Sequence, residues 1–171
     1  MKKFRLGIVC PQSLESLRTF LQENKGKITI TFNSEGGSLK SALEMYSLIQ
    51  QHGNVTGIVE TKADSAALIV LQGCSLRKAH RASTFLFHPA KRETRIIYDA
   101  FVDAESLLEQ VRRLLEDMQV LQQKALKILA HKTRKRARTL ERLCREKRIL
   151  STQEALGLKF IDTIITRARK T

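Results

Sequence analysis

The fold is decided by the stretch ITITFNSEGGS, which occupies residues 28–38. Its first five residues are β-branched or aromatic and predict a strand, and the paired glycines predict a tight turn. Beyond the turn, apolar residues keep helical spacing and Gly53 stands where a helix would be capped; the spaced residues are Leu39, Ala42, Leu43, Tyr46 and Ile49. The stretch therefore predicts a strand, a glycine-rich turn and a helix in succession.

Strands and helices continue to alternate after residue 53. Val55–Val59 predicts a second strand and Thr84–Phe87 a third, while Ser65–Leu71 between them predicts a helix buried on every side. This order is typical of a parallel sheet flanked by helices. The fold class is therefore α/β, and the length of 171 residues predicts one domain.

One long helix is predicted from Asp99 to about Ala130, because apolar residues recur there at spacings of three and four. At 1.5 Å per residue, a helix of about 30 residues is about 45 Å long. Leu108, Leu115 and Leu129 widen its apolar face beyond a single seam, so this small domain is too narrow to cover it. We expect a second copy of the chain to cover that face. The alternative is a helix folded back on its own sheet.

The long helix divides the chain into a head at residues 1–98, the helix at 99–130 and a basic segment with a return to the head at 131–171.

The net charge is +14, and Lys132–Arg148 holds nine cations against two glutamates. Such a segment suits either a nucleic-acid interface or a solvated helical face. Since no aromatic residue is interleaved for base stacking, the solvated face is favoured and a nucleic-acid partner is not expected.

The sequence gives no sign of membrane insertion or of disulfide chemistry. Its longest unbroken apolar run, Ala66–Leu71, is far shorter than the roughly 20 residues that a bilayer requires. The apolar stretch after the basic start, Leu6–Cys10, is also too short for a secretion signal. Cys10, Cys74 and Cys144 are odd in number and lack metal-ligand spacing, which predicts free thiols in a cytoplasmic protein.

Three segments offer the groups that acyl transfer needs, namely a nucleophile, a base and N–H donors for an oxyanion. Ser65 opens the buried helix after a strand, where a serine serves equally well as a nucleophile or as an N-cap. His88 follows a strand at the carboxyl edge of the sheet, where the sites of α/β proteins gather. Gly36 and Gly37 expose backbone N–H groups that suit an oxyanion or a phosphate, although no phosphate-binding glycine motif is present. If the second and third strands are parallel neighbours, Ser65 and His88 meet.

Five short segments, taken in order, carry a resemblance to a known family. They are NSEGG at 33–37, ADSAA at 63–67, LFHP at 86–89, RILSTQEA at 148–155 and FID at 160–162. The set resembles the proteolytic subunit of the Clp protease. That family has an N-S-P-G-G turn, an A-A-S-M-G nucleophile segment, an M-I-H-Q-P histidine segment, an R-F-L-S-x-x-E-A stretch and a closing G-L-V-D.

The resemblance implies a crotonase-like fold, which is a spiral of βαβ units with a protruding handle helix through which heptameric rings stack into a barrel. The helix at 99–130 would be the handle. The resemblance also implies that Ser65 is the nucleophile, that His88 is the general base and that the N–H groups of Gly37 and Ala66 form the oxyanion hole. It implies a serine-type endopeptidase that acts on polypeptides within a homo-oligomer, with no metal and no cofactor.

The third member of the family's catalytic triad departs from the pattern. The family has an Asp just before the Arg of R-F-L-S, and here that position is Lys147. A cation neither fixes the imidazole tautomer nor stabilises the imidazolium. Glu146 is the expected substitute after a shift of one residue, and Asp99 and Asp103 are more remote candidates. The family also works with an AAA+ unfoldase, and the absence of the family's axial loops before residue 1 argues against that partner here.

Two functions from different classes follow from these residues. The first is a peptidase that uses Ser65 and His88, and the second is a non-catalytic scaffold subunit that has lost the triad Asp. An acyl-CoA-directed crotonase activity and a basic nucleic-acid binder are the remaining alternatives.

Overall fold

In the computed structural model, which describes residues 2–91 and 103–166, seven strands and six helices alternate along the chain. The strands are β1 Lys2–Val9, β2 Ile28–Gly37, β3 Val55–Ala63, β4 Leu76–His80, β5 Thr84–Leu86, β6 Ile149–Ser151 and β7 Thr163–Ile165. The helices are α1 Pro11–Glu23, α2 Leu39–His52, α3 Ala66–Leu71, α4 Ala104–Thr133, α5 Ala137–Glu146 and α6 Thr152–Gly157.

The sheet has the order β1-β2-β3-β4-β7 with every pair parallel, so the predicted α/β class is confirmed. A short strand, β5, leaves this path and pairs in parallel with β3 and antiparallel with β6. β2 and β3 are longer than the sequence predicts, reaching Gly37 and Ala63. The added residues carry the chain past the main sheet toward the edge where β5 begins.

The second and third predicted strands are parallel neighbours, as the meeting of Ser65 and His88 requires. They pair beyond the predicted end of the second strand, because the register joins Lys62 to Thr84. The part of β3 at residues 56–59 pairs with β4 instead. Extending β3 past residue 59 is therefore what allows it to contact both strands.

The core is aliphatic, in keeping with an aromatic content of 5% and no Trp. Its largest buried side chains include Phe32, Phe85 and Phe160, packed among leucines and isoleucines. All six residues of α3 are buried, which confirms the prediction of a helix enclosed by the domain. Since α3 is held on every side, the residue at its start has a fixed position.

The long helix α4 spans 30 residues from Ala104 to Thr133 and is about 45 Å long at 1.5 Å per residue. Its buried residues, Ala125, Leu126, Leu129 and Thr133, all belong to the last third, which packs against the head. The predicted start at Asp99 lies outside the described residues, and the described helix is capped by Asp103. The predicted end near Ala130 is three residues early.

Among the residues that the structure describes, nothing covers two large apolar side chains in the first half of α4. Leu108 is 69% exposed and Leu115 is 53% exposed. The alternative of a helix folded back on its own sheet thus holds for the last third of α4 and not for this part. A broad apolar face remains that a partner could bury.

The basic segment forms the end of α4, a left-handed turn at Arg134 and the helix α5. α5 buries Leu140, Leu143 and Cys144 and exposes its arginines. Exposed arginines suit either a solvated helical face or a nucleic-acid interface, so the preference for the solvated face stays a prediction.

No helix within the described residues has the length and apolar character to cross a membrane.

The three cysteines are free, and burial raises the pKa of the Cys74 thiol to about 12. A thiol with that pKa stays protonated and unreactive at neutral pH.

Candidate active site

A cleft of about 910 Å³ opens where the glycine turn (Gly36 and Gly37, the last two residues of β2), the start of α3, the segment after β5 and the middle of α4 come together. Four residues implicated by the sequence line this cleft, namely Gly37, Ser65, Ala66 and His88. Apolar and charged side chains complete the walls: Leu39, Ile69, Phe87, Val120, Leu121, Glu35, Lys40, Lys91, Asp117 and Lys124. The cleft therefore combines the residues predicted for acyl transfer with walls that can accommodate an extended polypeptide.

Ser65 occupies a strained position between β3 and α3. Its backbone has φ 53° and ψ −122°, a region that residues other than glycine rarely adopt and that costs about 1–3 kcal/mol. Its N–H donates to the carbonyl of Leu86 over 2.7 Å, which holds the turn against β5. A sharp strand-to-helix turn of this kind is how α/β hydrolases present a nucleophile.

The Ser65 side chain does not act as a helix cap, which is the alternative role that the sequence allows. Ser65 stands at the N-cap position of α3, yet its hydroxyl makes no capping hydrogen bond. By contrast, Ser38 at the start of α2 accepts from the N–H of Ser41. The hydroxyl of Ser65 is therefore left for another purpose.

The paired glycines form the bent end of β2, where the sequence predicts a turn beyond the strand, and they pack directly on the Ser65 turn. Gly36 and Gly37 have φ values of 99° and 137°, which favour glycine. A side chain at Gly36 would approach the Asp64 carbonyl oxygen and the Ser65 Cβ to 2.8 Å, and one at Gly37 would collide with the Val9 carbonyl oxygen. Both positions thus require glycine for conformation and for space, and the turn keeps the Gly37 backbone on the cleft.

The imidazole of His88 is held in one tautomer by the chain itself. Its Nδ1 lies 2.7 Å from the carbonyl oxygen of Pro89. Since a carbonyl oxygen only accepts, the proton must be on Nδ1, and Nε2 is left as the nitrogen that can accept a proton. In a serine triad the acid fixes this same tautomer, so the Pro89 carbonyl supplies one of the two services that an Asp would perform.

Glu146 is not among the residues that line the cleft. It lines a separate pocket with Arg148 and Glu154, and its carboxylate oxygens are 3.8 Å from Arg142 Nε and 3.7 Å from Arg148 Nε. The reason is local, because α5 ends there and the next residue, Lys147, turns the chain in a left-handed conformation. The structure therefore does not bring Glu146 into the cleft with His88.

Asp103, one of the two more remote acid candidates, does not line the cleft. Asp103 accepts hydrogen bonds from the N–H and hydroxyl of Ser106, both at 2.8 Å, and these bonds lower the pKa of its carboxyl. It serves as the cap of α4. Asp99 lies outside the described residues.

Asp64, which the sequence analysis does not single out, directly precedes Ser65. Asp64 is half-buried, and burial raises the pKa of its carboxyl. Among the described residues its buried Oδ1 has no hydrogen-bond partner. The signal was present in the sequence, because the segment ADSAA has an Asp where the A-A-S-M-G pattern has an Ala.

An ion pair borders this carboxylate. Lys62 Nζ lies 2.6 Å from Glu35 Oε1, and the contact lowers the pKa of Glu35 and raises that of Lys62. Glu35 is 83% exposed, so the pair contributes little to stability. The pair holds the Glu35 carboxylate against Lys62, directly before Gly36 in the chain.

Comparison with known proteins gives the family. The family model of the Clp protease matches residues 12–168 of the chain. The match covers nearly the whole chain, and the protein therefore belongs to the Clp protease family. No curated protein sequence matches the chain significantly.

Proposed function

We propose that this protein is a serine-type endopeptidase subunit in which Ser65 is the nucleophile and His88 is the general base. The observation that carries the proposal is the cleft, which is lined together by Ser65, His88, Gly37 and Ala66. The uncapped hydroxyl of Ser65 and the tautomer of His88 both suit these roles.

The chemistry proceeds in two halves. Ser65 Oγ attacks the carbonyl carbon of the peptide while its proton moves to His88 Nε2. The negative charge that develops on the carbonyl oxygen is stabilised by the N–H groups of Gly37 and Ala66. The C–N bond then breaks and His88 returns the proton to the departing amine, which leaves an acyl group on Ser65. Water, activated by His88, removes that group.

Ala66 is suited to its role because it is the first residue of α3. The first N–H groups of a helix have no acceptor within the helix and lie at its positive end. Gly37 contributes from a different element, the end of β2, which is fixed by its pairing with Val9 in β1. Two donors on independently anchored segments would be in place before the charge forms.

The walls of the cleft favour a polypeptide substrate. Apolar side chains from α2, α3 and α4 alternate with charged ones, and a volume of about 910 Å³ holds several residues of an extended chain.

We place the protein in the cytoplasm. Hydrolysis of short peptides would not depend on an AAA+ unfoldase, because such a partner serves to deliver folded substrates.

Substitution of His88 tests the mechanism, because a general base affects kcat and not the binding of substrate. Replacing His88 with alanine should lower kcat for a short fluorogenic peptide by about 10²–10⁴-fold and leave KM little changed, since the base acts in the transition state. Steady-state kinetics of the wild type and the variant measure this. Equal kcat values would exclude His88 as the base.

The scaffold function is the second candidate, and Lys147 is the observation that favours it. Lys147 is exposed at the end of α5, and no acid replaces the family's Asp at that place. A scaffold subunit would assemble normally and would hydrolyse no peptide in the same assay.

Both candidates require assembly, and we propose that copies of the chain associate through the first half of α4. The 69% exposure of Leu108 and the 53% exposure of Leu115 on this helix support the proposal, since a monomer would leave both in water.

Substituting Leu115 with glutamate should dissociate the assembly and leave the domain folded, because the side chain is exposed within its own chain. Sedimentation velocity at micromolar concentration measures the mass, and circular dichroism checks the fold. Gln110→Glu, an exposed polar position on the face of the same helix that is turned away from Leu108 and Leu115, is the matched control and should stay assembled. A wild-type protein that sediments as a monomer would contradict the proposed interface.

A further inference from the structure

We propose that Gln122 on α4 is a positioning residue that orients the peptide group between Pro89 and Ala90, and through it the imidazole of His88. The inference rests on the proposed peptidase function. It assigns to Gln122 and this peptide group together the part of the triad acid's role that concerns the tautomer and orientation of the imidazole.

The first support is that a single peptide group makes both contacts. The carbonyl oxygen of Pro89 lies 2.7 Å from His88 Nδ1. The N–H of the same peptide group is that of Ala90, and it donates to Gln122 Oε1 over 2.9 Å. Because a peptide group is planar and rigid, a contact that fixes its N–H also fixes the direction of its carbonyl. Two hydrogen bonds joined by one rigid unit therefore connect Gln122 to the imidazole.

The second support is that both ends of the Gln122 amide have a partner. Its Nε2 lies 3.5 Å from the Sγ of Cys144, a buried residue of α5, and donates to that sulfur. Sulfur is a weak acceptor, whereas the N–H of Ala90 only donates and must therefore face the amide oxygen. The orientation of the amide is thus settled by its surroundings.

The third support is that the sheet no longer holds the segment after His88. β5 ends at Leu86, and within the described part of the chain residues 88–91 make no backbone-to-backbone hydrogen bond. Pro89 has no N–H to donate. The hydrogen bond from Ala90 to Gln122 therefore ties this segment to α4, just before the buried residues through which that helix packs against the head.

The same hydrogen bond also has an electrostatic effect on the base. Hydrogen bonds that share a chain polarise one another, so an acceptor at the N–H of Ala90 makes the Pro89 carbonyl oxygen a better acceptor. A stronger acceptor at Nδ1 favours the imidazole as it takes up the proton of Ser65. A neutral peptide group thereby supplies part of what the family's Asp would supply at the position of Lys147.

The test compares substitutions of Gln122 in the full-length protein. Gln122→Leu removes the acceptor and should lower kcat for a short fluorogenic peptide about tenfold with KM little changed, and it should slow fluorophosphonate labelling of Ser65 to a similar extent. Gln122→Glu keeps an oxygen that can accept from Ala90 and should recover most of the rate. Gln123→Leu, at the exposed next position of the same helix, is the matched control and should change neither.

The tautomer of His88 gives a readout that a merely structural role would not move. In protein labelled with ¹⁵N-histidine and held above the pKa of the imidazole, NMR shows which ring nitrogen carries the proton, and His88→Gln assigns the signals. The wild type should hold the proton on Nδ1. Gln122→Leu should place a share of it on Nε2, and Gln122→Glu should restore the wild-type state.

A folded Gln122→Leu variant with unchanged kcat and an unchanged tautomer would overturn the inference. A raised KM with unchanged kcat would instead assign Gln122, which lines the cleft, to substrate binding. If circular dichroism shows that Gln122→Leu does not fold, Gln122→Asn decides in its place, because it keeps the amide but is one methylene too short to reach Ala90. An inactive and unlabelled wild type would contradict the proposed function, whereas the tautomer comparison needs no activity and still decides whether Gln122 positions His88.

Discussion

Replacing Ser65 with alanine should reduce peptide hydrolysis by about 10³-fold or more, because the other serine that lines the described cleft, Ser38, uses its hydroxyl to cap α2. The loss should appear in kcat, since the hydroxyl forms the acyl-enzyme and contributes little to substrate binding. Kinetics with a fluorogenic peptide measure it.

The fold should survive this substitution. The Ser65 hydroxyl makes no capping bond, so alanine removes no contact that holds α3. A useful control is Ser65→Gly, which should be equally inactive and more stable by about 1 kcal/mol, because glycine adopts a φ of 53° without strain. Retained hydrolysis in either variant would show that the activity belongs to another residue.

Gly37→Ala should damage stability and activity together. The new Cβ would collide with the Val9 carbonyl oxygen, and φ 137° is unfavourable for alanine. Because the obstacle is backbone of a paired strand, the turn must move, at a cost of about 3 kcal/mol. Movement of the Gly37 N–H away from the oxyanion should also lower kcat by about 10²–10³-fold in the fraction that folds.

Denaturant unfolding and kinetics on the folded fraction separate these two effects. Gly7→Ala is the matched control, because Gly7 lies in the neighbouring strand β1 with no atom within 4 Å of an added Cβ. The control should keep its activity. A stable and fully active Gly37→Ala variant would contradict the assignment of the glycine turn.

Much of the fold could be predicted where the residue pattern is strong. β2 follows from a β-branched and aromatic run, α3 from an unbroken apolar run, and α2 and most of α4 from helical spacing. β1 could not be predicted, because it is an edge strand in which only Leu6 and Val9 are buried and the alternation is weak. The three-residue strands β6 and β7 are too short to carry a period.

The site could be predicted in part, for a different reason. Ser65, His88 and the glycine turn are marked by short motifs, and the structure places them along one cleft. The acid could not be predicted from sequence adjacency, because Glu146 and Lys147 lie at a helix end whose left-handed turn directs Glu146 toward arginines. The unpartnered state of Asp64 is a property of packing, which a single sequence does not reveal.

The central claim is that Ser65 is an activated nucleophile, and covalent labelling tests it most directly. Wild-type protein is treated with a fluorophosphonate at neutral pH, and the modified residue is located by peptide mass spectrometry. The phosphonyl group should be on Ser65, and heat-unfolded protein should remain unlabelled, because activation depends on His88 and the folded cleft. Absence of label on native Ser65, or equal labelling of native wild type and Ser65→Ala, would contradict the account.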